Sequence, residues 1–141
     1  MLDTPLSEYL NGVLNLACRY SDWVGYSEIG CSAYTADGWE EAFCRHYHVK
    51  AFTPVRQEET FYQTLVQWLG SSELRTTQKV TDLITHRLGE PLAVYRAADE
   101  KKLIDMLSGC NGGIGAYYFT EDVFFVEFKA HVLAFLMGNF E

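Results

Sequence analysis

Apolar residues recur at helical spacing near the amino terminus, at Leu6, Tyr9, Leu10, Val13, Leu14 and Ala17, behind a Thr4 cap and with Pro5 early in the turn. This pattern predicts a helix over 5–20. From Trp23 to Thr35 the helical period is lost and Gly25 and Gly30 interrupt the chain, while Cys31 to Thr35 reads as a short strand or extended loop. Asp37 followed by Glu40 has the form of a capping box, and Trp39, Ala42, Phe43 and His46 then share one face of a helix over 38–47. Thr53 and Pro54 break the chain before a helix over 57–69, marked by Phe61, Leu65, Trp68 and Leu69 and stopped at Gly70. A further helix over 76–88 carries Val80, Leu83, Ile84 and Leu88 and ends at Gly89. Leu92 to Tyr95 is a strand candidate, and Asp99 caps a helix over 99–108 that Gly109 stops.

The last third of the chain changes period. Three apolar segments, Ala116–Phe119, Val123–Phe128 and Val132–Met137, are separated by expected turns at Thr120–Asp122 and Lys129–Ala130, which reads as an antiparallel meander over 116–137. Val123 to Val126 is apolar on both faces, as a central strand covered on each side must be. The expected fold is therefore α+β, one domain over 1–141, with about five helices packed on an antiparallel sheet built around that meander.

Composition supports a packed core. With 48% apolar and 15% aromatic residues, a chain of 141 residues buries enough surface to fold without metals or disulfide staples. The apolar run Val132–Met137 is far shorter than a membrane span, and the opening MLDTPLSEYL has no basic n-region of a signal peptide, so a cytoplasmic protein is expected. In that compartment Cys18, Cys31, Cys44 and Cys110 stay thiols.

Charge narrows the partner. Eleven basic residues face nineteen acidic ones, a net charge of −8, which argues against gripping nucleic acid by its phosphates and favours a basic protein partner. Residues 1–44 hold seven acids and a single base, Arg19, so six of the eight net charges lie there. Tyr and Trp are the side chains most enriched in binding hot spots, and an aromatic ringed by carboxylates suits a basic groove. The expected partner-binding residues are Trp23, Glu28, Tyr34, Asp37, Glu40 and Glu41. Trp39 is assigned to the core because it lies on the apolar helix face.

Two chemical alternatives stand beside that reading. Cys44, His46 and His48, with Cys31 upstream, are zinc-type ligands and would form a structural site if the helix has ended before they converge. The string Gly109-Cys-Asn-Gly-Gly113 resembles a structural segment of papain-like cysteine proteases, and the strand holding His131 resembles the one bearing their catalytic histidine. A Cys110–His131 dyad would supply a thiolate nucleophile for a hydrolase, although the Cys-Gly-Ser-Cys-Trp signature of that family is missing. Gly112-Gly-Ile-Gly115 follows a helix and precedes a strand, the reverse of a phosphate-cradling loop, so no nucleotide cofactor is expected.

The closing stretch Ala116-Tyr-Tyr-Phe-Thr-Glu-Asp-Val-Phe-Phe-Val-Glu-Phe-Lys, ending in Leu-Met-Gly-Asn-Phe-Glu141, resembles the tails of small acidic accessory proteins from mobile elements and phages of gut bacteria. The resemblance implies an anti-CRISPR or other anti-defence inhibitor; because no carboxylate pair, activated nucleophile or complete metal set stands out in the sequence, no catalysis and no cofactor are expected. The partner it implies is the basic channel or a mobile domain of a CRISPR nuclease or similar effector. It carries no residue-level motif.

Overall fold

The computed structural model of the protein describes residues 1–19, 28–70, 74–109 and 118–140. In chain order they form α1 (Thr4–Arg19), β1 (Glu28–Thr35), α2 (Trp39–Tyr47), β2 (Pro54–Arg56), α3 (Phe61–Leu69), α4 (Leu74–Leu88), β3 (Ala93–Ala97), α5 (Glu100–Gly109), β4 (Tyr118–Glu127) and β5 (His131–Phe140). The fold is α+β, with the five strands in one antiparallel sheet of order β1-β5-β4-β3-β2.

Local hydrogen bonds set the helix ends. Asp3, one residue before the expected Thr4, caps α1 by accepting the Leu6 N–H at 3.1 Å. The α3 start moves from 57 to Phe61 because Thr60 and Gln63 form a reciprocal capping box. Asp99 caps α5 as expected, accepting from the Lys102 N–H. The capping box expected from Asp37 and Glu40 is not formed. Gly38, at φ 70°, is the N-cap of α2 and makes no side-chain cap. Gly89, at φ 91°, ends α4 in the left-handed region that suits glycine.

The C-terminal region is a hairpin of two long strands rather than three short ones. At the expected turn Thr120–Asp122 the chain stays extended. Thr120 pairs with Gly138 and Asp122 with Met137, leaving Glu121 as the extra residue of a bulge. Asp122 is held there by Arg96, with contacts at 2.8 and 3.4 Å, by the Trp68 indole N–H at 2.8 Å, and by the Val123 N–H. Burial pulls the Arg96 pKa down, but its bonds to Asp122 outweigh that and raise it.

Strand alternation divides the apolar side chains between two cores. Phe124, Val126, Leu133 and Phe135 face α1, α3 and α4, whereas Val123, Phe125, Ala134 and Leu136 face α2 and α5. The expectation that Val123–Val126 lies mid-sheet, covered on each side, is met, since β4 is the middle strand of five. Phe124 stacks on Phe135 with ring centroids 4.9 Å apart, and its neighbour Phe125 stacks on Phe52 at 5.2 Å in the other core. Phe124 and Phe125 are both fully buried, so truncation of either to alanine costs about 3–5 kcal/mol. No helix among the described residues is long and apolar enough to cross a membrane.

Candidate partner-binding face

Helix α2 is amphipathic, and its inward residues decide what faces out. Trp39 and Phe43 are buried against Phe125 at ring distances of 5.0 Å each. That orientation leaves Asp37, Glu40 and Glu41 exposed around the first turn of the helix, where carboxylates also favour the positive end of its dipole. Arg45 bonds Glu41 at 2.9 Å, with both side chains more than three-quarters exposed, so the pair adds little stability. A groove of about 400 Å³ runs between α2 and the start of the chain, lined by Leu2, Asp37, Glu41, Arg45 and His46.

Beneath this face a chain of hydroxyls enters the core. Tyr47 Oη lies 3.4 Å from Ser32 Oγ, Ser32 Oγ is 2.9 Å from Tyr34 Oη, and Tyr34 Oη is 2.8 Å from His46 Nδ1. A neutral His46 protonated at Nε2 lets each hydroxyl donate in turn and ends the chain on Nδ1. Partial burial, then the neighbouring His48, lowers the His46 pKa, which favours the neutral ring. Burial pushes the Tyr34 phenol up, so it acts as a hydrogen-bonding group and not as an acid.

The expected site residues separate on this geometry. Asp37, Glu40 and Glu41 share the exposed face of α2. Tyr34, expected to face a partner, is completely buried, because residues 32 and 34 of β1 point under α2. Glu28 opens β1 opposite Gly138, and Trp23 lies outside the described residues.

The four expected zinc ligands do not converge. Cys31 sits in the core facing α1, across the sheet from α2, and burial drives its thiol pKa up, away from the thiolate a metal needs. Cys44 packs against the opposite core, its Sγ 3.6 Å from the Lys50 carbonyl, with its pKa raised by burial and by Glu40. His46 is engaged by Tyr34, and His48 is the left-handed C-cap of α2. Among the described residues no three His, Cys, Asp or Glu side chains gather as a metal site.

For the alternative dyad, Cys110 lies outside the described residues. His131 Nε2 is 3.1 Å from Asp3 Oδ2. Ser108, near the end of α5, bonds the backbone of Thr120, which pairs with Gly138 at the far end of β5 from His131.

Leu2, Arg45 and Ser32 join this region without having stood out in the sequence. Only Ser32 carried a signal, since it alternates with Tyr34 on one strand face. No protein-family model matches the chain, and neither a curated protein nor a solved structure is significantly similar to it.

Proposed function

We propose that this protein is a non-catalytic binding module that docks a basic surface of another protein through the exposed face of α2. The observation that carries the reading is the cluster of Asp37, Glu40 and Glu41 beside a groove in which the Arg45 guanidinium is already paired with Glu41. Such carboxylates act chiefly on encounter and orientation with a cationic surface. The resemblance of the tail gives the class of partner: a nucleic-acid-handling effector of a bacterial defence system, with the module acting as an anti-CRISPR or other anti-defence inhibitor.

The test is affinity capture from cells carrying candidate defence nucleases, with wild-type bait beside bait carrying Glu40→Lys and Glu41→Lys. A captured nuclease should bind the double variant at least about tenfold more weakly, and wild-type binding should fade as rising ionic strength shortens the Debye length from about 30 to about 3 Å. Unchanged binding by the folded double variant, or salt-independent binding, overturns the proposal.

A further inference from the structure

On the other layer of the molecule a second groove, of about 480 Å³, opens between the β2–α3 turn, the middle of α4 and the turn leading into β3. Its floor is apolar, formed by the buried Phe61, Ala93 and Val94. Its walls carry Glu58, Glu59, Asp82 and Glu90, all exposed, against one cation, Arg56, whose guanidinium reaches the Leu92 carbonyl at 3.4 Å. Among the described residues none of these four carboxylates has a salt-bridge partner; Asp82 accepts a hydrogen bond from the Gln78 amide.

The spacing of the charges selects the ligand. These carboxylates do not form one of the clusters of three that a metal ion requires. They sit on both walls, over an apolar floor and beside Leu92, a large apolar side chain left 54% exposed. Charges distributed in this way complement a ligand whose cations are themselves spread along a chain. We infer that this groove is a second binding site, for an extended Lys- or Arg-containing peptide segment, with the carboxylates meeting its cationic side chains and the floor and Leu92 meeting their alkyl stems. The site is separate from α2 and stands or falls independently of the function proposed for that helix.

The experiment uses the full chain and a short fluorescein-labelled Lys-Ser repeat peptide, read by fluorescence anisotropy, with amide chemical shifts mapping the contact. The peptide should bind, shift the Thr81, Thr85 and Val94 amides, and lose about tenfold in affinity on Glu58→Lys with Glu90→Lys. Glu40→Lys with Glu41→Lys should change affinity by less than about twofold, because those residues lie on another face. Glu58→Gln with Glu90→Gln, which removes charge without reversing it, should give an intermediate loss and covers the case in which the lysine variant fails to fold. Absence of peptide binding, equal losses from the two lysine pairs, or shifts confined to α2 would overturn the inference.

Discussion

Strands β1 and β2 are the two edges of one sheet, and they keep their backbones from other chains by opposite means. From Cys31 to Thr35 the outward groups of β1 are occupied. Asn11 of α1 accepts from the Cys31 N–H at 2.9 Å and donates to the Cys31 carbonyl at 2.6 Å, Ser7 Oγ accepts from the Ala33 N–H at 2.8 Å, and the Asp3 N–H donates to the Ala33 carbonyl at 2.8 Å. Two side chains of α1, together with the backbone of residues 1–3, which bridges Leu2 to Tyr34, thus stand in for a neighbouring strand. Strand β2 is stripped instead. It has three residues, and hydrogen bonds from Gln57 to Val94 and from Ala98 to Thr53 set Val55 as the residue facing β3. Pro54 and Arg56 therefore face outward, and proline has no N–H, so the edge offers a single donor.

The two proposed binding faces, the acidic turn of α2 and the groove beside α4, accordingly use side chains rather than strand pairing. The largest test is to unseal β1. Asn11→Ala leaves the buried Cys31 backbone without either partner and should cost about 2–4 kcal/mol in urea unfolding, since each unsatisfied buried group costs about 1–3 kcal/mol. A loss below about 0.5 kcal/mol would show that solvent serves that edge equally well.

Acid should loosen the same edge in a defined order. The His46 pKa is lowered by burial, so the unfolded chain takes up that proton first and stability is lost as pH falls below about 6.5. The Asp3 pKa is lowered first by the Leu6 N–H and also by His131, so its stabilising effect, complete above about 3.9, is lost as pH falls through its still lower folded value. Thermal melts across pH should show both windows, His46→Gln abolishing the upper and Asp3→Asn the lower. Melting curves that keep both windows in these variants would assign the acid sensitivity to other groups. The smallest effect is expected at the stripped edge. Pro54→Val should alter stability by less than about 0.5 kcal/mol, yet add an outward donor to β2 and raise self-association in sedimentation velocity runs. Unchanged sedimentation would mean that shortness alone keeps that edge quiet.

Features set by neighbours in sequence were readable, and those set by distant pairing were not. The stripe Leu6, Leu10, Leu14 and the glycine stops at Gly70 and Gly89 lie within one or two helical turns, and all appear in the structure. The Thr120–Asp122 segment looked like a turn because three polar residues stand between apolar runs. Arg96, 26 residues away, turns it into a bulge within a strand. Tyr34 looked available because acids flank it, but its pairing with Val132 and its bond to His46 place it under α2. Strand β2 left no periodic trace, being three residues long and beginning with proline. Of the candidate site, the exposed acids of α2 were legible from helical phase alone. The groove beside α4 was not, because Glu58, Asp82 and Glu90 meet only through the fold.

Native-state amide exchange tests the contrast between the edges most directly, because it reads the outward N–H groups one at a time. Cys31 and Ala33 on β1 should exchange slowly, as core amides do, while Arg56 on β2 exchanges fast. Asn11→Ala should release Cys31 selectively and leave Ala33, held by Ser7, protected. Fast exchange at Cys31 in the wild-type protein, or protection of Arg56 equal to that of Ala33, would contradict the account.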